Sequence, residues 1–336
     1  MTDVTDSSRP HVLVIGTGSI GERHTRCFLA TGRCDVSICE TNADVRDDVS
    51  ARYELAGAFA DLDTALSDPP DIAVICTPAH LHVTMAIRLL ESGIAVLCEK
   101  PLSTSLDDIE RLTELVAAPS ARFSMAYVMR AHPLFQAVRD QIQSSQFGRP
   151  IEVILVSGQH FPHYRPAYRE IYYVDRATGG GVIQDGLTHA VNFVEWMVGP
   201  MTRVAADCDH LALVGVDIED SVHVIARHGD IMANYSMNQH QAPNEGQLTV
   251  ICEAGTIRAE AHLGRWMTVT EPETPWTIHE MAPLERDDIF VNQAHAFLDH
   301  ACGDANPLCP LEEGIQTLRC NLAILEAADS RTWVDV

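Results

Sequence analysis

The sequence predicts an α/β protein with an N-terminal doubly wound parallel sheet and a C-terminal α+β domain that carries a large, mostly antiparallel open sheet. Three observations predict it: apolar runs alternate with helical patterns in the first third, a glycine-rich turn follows the first run, and extended segments dominate after residue 150. Alternating strands and helices are typical of βαβ units and parallel sheets. A length of 336 residues suits two domains, and the change of pattern predicts the division 1–127 and 128–336.

The N-terminal domain is predicted from short apolar runs that are bounded by polar turns. Each run has the length of a buried strand, and the segments between them have the period of amphipathic helices. Strands are predicted at His11–Ile15, Asp35–Glu40, Ile72–Cys76, Ala95–Cys98 and Phe123–Ala126. Helices are predicted at Ser19–Thr31 and His80–Ser92, and a third opens at Ser105–Asp108 with a serine cap and an acidic first turn.

The C-terminal domain is predicted from extended segments with turn residues between them, which indicate an antiparallel sheet. These strands are Ile151–Gly158, Val204–Leu211, Ser221–Arg227, Ile231–Asn238, Gln247–Cys252 and Trp266–Thr270. Helices are predicted at Pro133–Ser144, Gly180–Val198, Asp288–Ala301 and Leu311–Ser330.

The charge of the chain narrows the class of partner. Lysine and arginine number 23 and aspartate and glutamate 47, which gives a net charge of −24. Such a chain repels phosphate backbones and anionic lipid, so neither a nucleic acid nor a membrane is expected as a partner. There is no apolar run of transmembrane length, the polar N-terminus does not have the pattern of a secretory leader, and the ten cysteines form no C-x-x-C pair. We therefore expect a cytoplasmic protein with reduced thiols.

A dinucleotide-binding fingerprint follows the first predicted strand. It is Gly16-Thr17-Gly18-Ser19-Ile20-Gly21, and it opens the first helix as this Rossmann motif requires. The glycines permit a tight turn, close approach of a diphosphate to the helix N-terminus, and close packing of helix on strand. Glu40 closes the next strand, where its carboxylate suits the ribose hydroxyls of NAD and disfavours the 2′-phosphate of NADP. Arg46 lies one helical turn further and could turn toward a 2′-phosphate, so NADP is the less favoured alternative.

Three further residues carry groups suited to proton chemistry. The chain has 22 arginines and a single lysine, Lys100, which indicates a task that needs a compact amine. Lys100 lies in Cys98-Glu99-Lys100-Pro101 at the carboxyl end of a predicted strand, where open α/β sheets bind ligands. After three glycines at 179–181 come Asp185 and His189, which share one face if the segment is helical.

These segments together resemble the Gfo/Idh/MocA family of glucose–fructose oxidoreductase, inositol dehydrogenase and their relatives. The resemblance covers nearly the whole chain. It rests on the glycine fingerprint, Thr77-Pro78-Ala79-His80-Leu81-His82, Glu99-Lys100-Pro101, Arg130-Ala131-His132-Pro133 and the GGG-x-x-x-D-x-x-x-H element. It implies a Rossmann domain that binds NAD, a cis bond between Lys100 and Pro101, and an open sheet that forms the face of a homodimer or homotetramer. The catalytic trio of the family falls on Lys100, Asp185 and His189.

The residue types of this trio suit the oxidation of a secondary alcohol. His189 ordinarily titrates near neutrality and suits the proton transfer, while Lys100 stabilises the developing alkoxide. Asp185 orients His189 or a substrate hydroxyl, or holds a neighbouring ammonium charged. The residues expected to bind the cofactor are Gly16, Gly18, Ser19, Ile20, Gly21, Glu40, Thr77, Pro78, His82, Glu99 and Lys100; for His82, a role in capping is an equal alternative.

Substrate contacts are expected from the domain junction and from a loop rich in tyrosine and arginine at 161–176. The candidates are Lys100, Tyr127, Arg130, His160, Tyr164, Arg165, Asp185 and Asn192, the last standing where relatives often carry an aspartate. Tyrosine rings pack on sugars and arginines bind carboxylate or phosphate, although the same loop would also suit a subunit contact. His160 and His163 could join Asp185 or His189 around zinc, but the family needs no metal and none is expected.

The function expected is a hydride transfer between NAD and a secondary alcohol of a sugar, a cyclitol or a related polyol. Two alternatives keep the fold and the cofactor. One is a glycosidase that acts through transient oxidation, as some relatives do. The other is a non-catalytic NAD-binding regulator, against which the presence of Lys100, Asp185 and His189 argues.

Overall fold

Two sheets and the helices packed on them make up the computed structural model, which describes residues 9–336. The first sheet has six parallel strands: β1 His11–Ile15, β2 Asp35–Cys39, β3 Gly57–Phe59, β4 Ile72–Ile75, β5 Ala95–Cys98 and β6 Phe123–Met125. Five helices lie between or after them: α1 Ser19–Ala30, α2 Ala43–Arg52, α3 Leu62–Ala65, α4 His82–Glu91 and α5 Ile109–Val116. Residues 1–8, which belong to the predicted N-terminal domain and carry the prediction that there is no secretory leader, lie outside the described residues.

The strand order of the first sheet places the site. The order is β3-β2-β1-β4-β5-β6, so the direction of winding reverses between β1 and β4. A crevice opens at such a point outside the carboxyl ends of the strands. The segments that follow β1, β4 and β5 therefore lie at one edge, and they carry the glycine fingerprint, Thr77 and Lys100.

The second sheet has nine strands. In spatial order they are β14 Thr277–Glu280, β13 Arg265–Val269, β12 Gly255–Glu260, β11 His240–Cys252, β7 Pro150–His160, β10 Ile231–Asn238, β9 Ser221–His228, β8 Arg203–Asp209 and β15 Val334–Asp335. All pairs are antiparallel except β7 with β10. The helices of this half are α6 Pro133–Gln143, α7 Phe161–Tyr164, α8 Thr188–Val198, α9 Asp288–Cys302 and α10 Leu311–Ser330. Both predicted sheets are thus present.

The structure corrects several predicted element boundaries. The helix expected to open at Ser105 begins at Ile109, because Asp108 takes a left-handed conformation with φ of 58° just before it. The helix expected over 180–198 is a π-helical turn at Ile183–Leu187 that continues into α8. The sequence analysis did not predict the short strands β3, β12, β14 and β15, whose side chains do not form long apolar runs.

The last two long helices pack against the first sheet as well as the second domain. In α9, Ala294 and Phe297 join the core around β1 and β2, and in α10, Leu311 and Leu318 join the core on the opposite face of that sheet. Apolar side chains from the end of the chain therefore complete the N-terminal core. The division at residue 127 stays a prediction, because side chains of α9 and α10, from beyond that residue, pack into the N-terminal core.

None of the helices within residues 9–336 is long and apolar enough to cross a membrane. All ten cysteines are free thiols, and all but Cys76, Cys208 and Cys302 are buried.

Candidate active site

The glycine loop between β1 and α1 has the shape that a dinucleotide needs. Gly16 has φ of +82°, a left-handed conformation that glycine adopts without strain. A Cβ on Gly21 would lie 1.8 Å from the Gly16 carbonyl oxygen, so only glycine permits this contact between helix and loop. A Cβ on Gly18 would meet nothing within 4 Å, which leaves open space beside the first turn of α1. That open side, at exposed Ser19 and half-buried Ile20, fits a diphosphate.

Glu40 lies where its carboxylate can bind the adenosine ribose. Its Oε2 accepts a hydrogen bond from the Thr17 amide at 2.7 Å, and its Oε1 accepts one from the Asn42 amide at 2.9 Å. A carboxylate has about four acceptor sites, so capacity for hydroxyls remains. Arg46 Nη1 donates to the main-chain oxygen of Glu40 at 2.7 Å, which holds the guanidinium beside this corner. The residues present therefore fit NAD.

A buried contact between a histidine and a glutamate, which the sequence analysis missed, fixes the end of β5. Nε2 of His24, in α1, lies 2.7 Å from Oε1 of Glu99, and both side chains are almost fully buried. Glu99 Oε2 also accepts from the Lys100 amide at 3.0 Å. Burial alone would raise the pKa of Glu99, but His24 and Lys100 outweigh it, so this pKa lies below its usual range. The signal that could have found His24 is its position three residues after Gly21.

His82 joins two loops of the site. Its Nδ1 lies 2.9 Å from the Pro101 carbonyl oxygen and its Nε2 lies 2.7 Å from that of Thr77. Burial lowers the pKa of His82, while the contacts of its two nitrogens with these carbonyls oppose that effect. The capping role is therefore the one that the structure supports, while Thr77 and Pro78 stay partly exposed at the crevice.

Lys100 meets Asp185 across the two domains. The peptide bond between Lys100 and Pro101 is cis, as the resemblance implied. Lys100 Nζ donates to Asp185 Oδ1 at 3.1 Å and to the Asp185 carbonyl oxygen at 2.8 Å, and both side chains are largely buried. Burial would raise the pKa of Asp185, but the ammonium and the hydrogen bonds it receives outweigh that effect and lower this pKa. The single lysine of the chain is thus held against a carboxylate.

Tyr172 is a second residue that was not among the candidates. Its ring is 38% exposed, while its hydroxyl donates to Asp185 Oδ1 at 2.7 Å. Burial of the hydroxyl and the Asp185 charge raise the pKa of Tyr172 well above its usual value, so the hydroxyl stays a donor. The sequence analysis selected this loop but not this residue. Asp185 therefore accepts from Lys100 and Tyr172 at once.

His189 completes the trio in a form that corrects the sequence analysis. Within the described residues its Nδ1 is buried without a hydrogen-bond partner, and the Tyr127 ring lies edge-on at 6.1 Å between centroids. Burial, and then the Lys100 ammonium, lower the pKa of His189 to about 3. The imidazole therefore does not titrate near neutrality in the free protein. Asp185 orients Lys100 rather than His189.

Arg130 and Asn192 lie inside the protein and not at the crevice. Arg130 Nε donates to Asn192 Oδ1 at 2.8 Å, and the exposed fractions of these residues are 1% and 0%. The Asn192 amide also donates to Thr317 Oγ1 at 2.9 Å, and Arg130 pairs with Glu313. Their polar groups join the turn Val128–Ala131 to α8 and α10, and the expectation that they contact substrate stays a prediction.

The remaining candidates differ in position. Tyr127 is 1% exposed and its hydroxyl lies 3.0 Å from Thr188 Oγ1, so it supports His189 from within. His160 and Tyr164 are exposed, and neither side chain forms a hydrogen bond with another described residue. Arg165 Nη1 donates to Ser19 Oγ at 3.2 Å, at the glycine loop. Over residues 9–336 no three histidine, cysteine or acidic side chains are grouped to hold a metal.

Replacement of Tyr172 by phenylalanine tests its positioning role. The hydrogen bond from Tyr172 to the charged Asp185 is worth roughly 1.5–3 kcal/mol. Because only part of this free energy stabilises the transition state, we expect kcat to fall about ten-fold. NADH affinity and thermal stability should stay close to those of the wild type. Steady-state kinetics with a separate NADH titration measure both, and an unchanged kcat would contradict the role.

Two domain profiles of one family match the chain. The profile described as an oxidoreductase family with an NAD-binding Rossmann fold matches residues 11–127, and the GFO/IDH/MocA C-terminal domain profile matches residues 135–258. The chain belongs to the Gfo/Idh/MocA oxidoreductase family. Residues 11–127 therefore form an NAD-binding Rossmann domain.

Relatives of this Gfo/Idh/MocA oxidoreductase carry several names. Levoglucosan dehydrogenase of Pseudarthrobacter phenanthrenivorans is 24% identical over 97% of this chain and 98% of its own length. The 1,5-anhydro-D-fructose reductase of Ensifer adhaerens is 23% identical over 89% and 90%. The uncharacterized oxidoreductase ORF334 of Rhizobium meliloti is 33% identical, but the match spans only 51% of each chain.

Solved structures share the fold of this Gfo/Idh/MocA oxidoreductase. A levoglucosan dehydrogenase in complex with NADH and levoglucosan superposes with a TM-score of 0.87 at 20% identity, over 97% of this chain and 99% of that one. The WlbA dehydrogenase of Bordetella pertussis with NADH and UDP-GlcNAcA has a TM-score of 0.83 at 23% identity over 98% of each chain. At these identities the likeness shows the fold alone.

Proposed function

We propose that the protein is an NAD-dependent dehydrogenase that transfers a hydride between a secondary alcohol of a sugar, a cyclitol or a related polyol and the nicotinamide. The contact between Lys100 and Asp185 carries this proposal. It places the single lysine at the carboxyl end of β5, beside the loop that binds the dinucleotide, with His189 next to it. A non-catalytic binding protein would have no need of this pair.

Lys100, His189 and Asp185 each have a distinct task in the proposed reaction. NAD, when bound, supplies the hydride acceptor. The Lys100 ammonium donates a hydrogen bond to the reacting oxygen and stabilises the negative charge that develops there. His189 is neutral in the free protein, which leaves a ring nitrogen lone pair for the hydroxyl proton; because its lowered pKa makes it a weak base, this transfer depends on Lys100 stabilising the negative charge on the oxygen. Asp185 holds the ammonium in place, and the Tyr172 hydroxyl in turn holds Asp185.

The substrate class is supported by the loop over the crevice and by the names of relatives. Exposed Tyr164 offers a ring on which a sugar face can pack, and Arg165 offers a donor for an anionic substituent. Levoglucosan, anhydrofructose and inositol occur in the names of relatives, and all carry secondary alcohols. Glu40 favours NAD over NADP because a 2′-phosphate would meet its charge.

The decisive experiment measures NADH absorbance over a panel of cyclitols, aldoses, anhydrosugars, uronic acids and glycosides. Each compound is tested with NAD and with NADP. We expect net NADH formation with at least one compound that carries a free secondary alcohol, and a lower KM for NAD than for NADP. Product release without net NADH would indicate the glycosidase instead, and failure over the whole panel with NADH still bound would indicate a regulator.

We also propose that the outer face of the nine-stranded sheet joins copies of this chain into a homodimer or homotetramer. Residues at alternate positions of β7, β9 and β10 face the core, and between them Val156, Ile225 and Met232 are 47%, 55% and 50% exposed. Apolar groups on an uncovered sheet face are typical of an interaction surface.

Charged substitutions on that face test the assembly. We expect the wild type to sediment as a dimer or tetramer and the Ile225→Glu, Met232→Glu double variant to sediment as a monomer, since two carboxylates would be buried unpaired at the contact. Analytical ultracentrifugation measures this. A wild-type monomer at high concentration would contradict the proposal, and circular dichroism confirms that the variant is folded.

A further inference from the structure

Glu219 is a buried carboxylate that the proposed reaction does not use. It stands two residues before β9 and is 3% exposed. Its Oε2 accepts a hydrogen bond from Arg176 Nε at 2.8 Å, and its Oε1 is buried without a hydrogen-bond partner within residues 9–336. Burial raises the pKa of Glu219, and Arg176 opposes that rise. A buried ion pair is weak evidence for stability, because the loss of hydration offsets its attraction. The pair therefore calls for another explanation.

The glycine segment that leads to Asp185 packs against Glu219. The main-chain oxygen of Glu219 accepts from the Val182 amide at 3.0 Å. Its side chain packs on Gly181, where a Cβ would lie 2.1 Å from Glu219 Oε1 and where φ is +85°. Only glycine permits this approach in a left-handed conformation. Two parts of Glu219 therefore fix the main chain just before the π-helical turn Ile183–Leu187, which carries Asp185.

Arg176, on the other side of the ion pair, is joined to the same turn. Its main-chain oxygen accepts from Gln184 Nε2 at 2.9 Å, and Gln184 is 2% exposed. Arg176 also stands four residues after Tyr172, whose hydroxyl donates to Asp185 Oδ1 at 2.7 Å. The loop that carries Tyr172 and the turn that carries Asp185 therefore meet at Arg176 and Glu219.

We propose that Glu219 and Arg176 are positioning residues for the dehydrogenase reaction, an inference that rests on the proposed function. Their ion pair holds the loop that carries Tyr172 against the turn that carries Asp185. Asp185 in turn holds the Lys100 ammonium. Neither side chain of the pair forms a hydrogen bond with Lys100 or Asp185 within the described residues, so the pair acts through the main chain. A shift of about 1 Å in a catalytic group can cost roughly 10²-fold in rate.

One isosteric substitution separates positioning from mere support of the fold. Glu219→Gln keeps the size of the side chain and removes its charge, so the cost of burial falls while the charge-assisted hydrogen bond from Arg176 is weakened. Arg176 is 40% exposed and its Nη1 lies 3.4 Å from Asp329 Oδ1, so water and this carboxylate can still solvate the guanidinium. We therefore expect the thermal stability of the variant to equal or exceed that of the wild type.

The kinetic test uses a compound that the wild type oxidises. We expect Glu219→Gln to lower kcat about ten-fold and to leave the KM for NAD within about two-fold, because the glycine loop after β1 is unchanged. Glu260→Gln is the matched control, since Glu260 pairs with Arg265 at 2.7 Å in the nine-stranded sheet. It should leave kcat within about two-fold. A folded Glu219→Gln enzyme with unchanged kcat would overturn the proposal, whether or not it has lost stability.

A double variant shows whether Glu219 acts through the loop of Tyr172. Glu219→Gln and Tyr172→Phe should together lower kcat by less than the product of their separate factors, because residues that act through one contact are not independent. Two factors that multiply fully would contradict this route.

Amide hydrogen exchange tests the inference without any substrate. Exchange over residues 172–185 should be faster in Glu219→Gln than in the wild type or in Glu260→Gln, because the ion pair no longer restrains this segment. Arg176→Gln breaks the pair from its exposed side, should show the same change, and serves as the test if Glu219→Gln does not fold. Unchanged exchange in the folded variants would overturn the inference. Failure of the wild type to oxidise any compound of the panel would instead contradict the proposed function.

Discussion

Replacement of Lys100 by methionine should lower kcat about 10²-fold to 10³-fold, because the substitution removes the donor that stabilises the developing alkoxide in a largely buried site. Methionine keeps much of the length of the lysine stem but carries no charge. Asp185 would then keep only its side-chain hydrogen bond from Tyr172, and the loss of the ammonium would raise its pKa. Steady-state kinetics with a substrate from the panel measure the effect.

The control for this variant is its affinity for NADH. The glycine loop and Glu40 are unchanged, so the Kd of NADH should rise by no more than a few-fold. Lys100→Arg retains the charge, but its planar fork cannot replace a compact ammonium between Asp185 Oδ1 and the Asp185 carbonyl oxygen, and it should recover little activity. Near-wild-type turnover in Lys100→Met would exclude the proposed mechanism.

Replacement of His189 by glutamine should lower kcat about 10²-fold to 10⁴-fold, the range that a positioned acid–base group contributes. Glutamine retains a polar head of similar size but cannot accept the proton. NADH binding should survive, since His189 lies beside the Tyr127 ring and is not part of the glycine loop. A variant with full kcat would assign the proton transfer to another group.

The pH dependence of kcat/KM gives an independent test of His189. The profile for kcat/KM reports groups of the free enzyme, and there the pKa of His189 is lowered to about 3. The imidazole is therefore already neutral above that value, and the base is lost only as the pH falls through it. With an uncharged polyol we expect no inflection near the ordinary histidine pKa of about 6.5. An inflection there that disappears in His189→Gln would contradict the lowered pKa.

Much of the architecture could be predicted because local pattern and global fold agree in this chain. The apolar runs of β1, β4 and β5 are buried on both faces of a parallel sheet, and such strands are recognisable from composition alone. The glycine fingerprint has an equally local cause, because the turn and the close helix contact at Gly16 and Gly21 exclude other side chains. Short edge strands such as β3 and β15 have no comparable signal.

The site could be predicted only in part, because its energetics depend on neighbours that are remote in sequence. Lys100, Asp185 and His189 follow from motifs, but Tyr172 and His24 became visible only when their hydrogen bonds to Asp185 and Glu99 were seen. Arg130 and Asn192 have the chemistry of substrate contacts, yet packing by α10 buries them. Residue type does not determine burial for such side chains.

The sequence by itself determined the sheet classes and the dinucleotide loop, since each depends on covalent geometry or on a short spacing, and it predicts the proton-handling residues. Tertiary structure alone decided which partner each charged group meets: Asp185 binds Lys100 and not His189, and burial beside that ammonium keeps His189 neutral. The reason is physical. Desolvation and Coulomb interactions depend on distance in space, and the fold brings residues that are distant in the chain to within a few ångströms of each other.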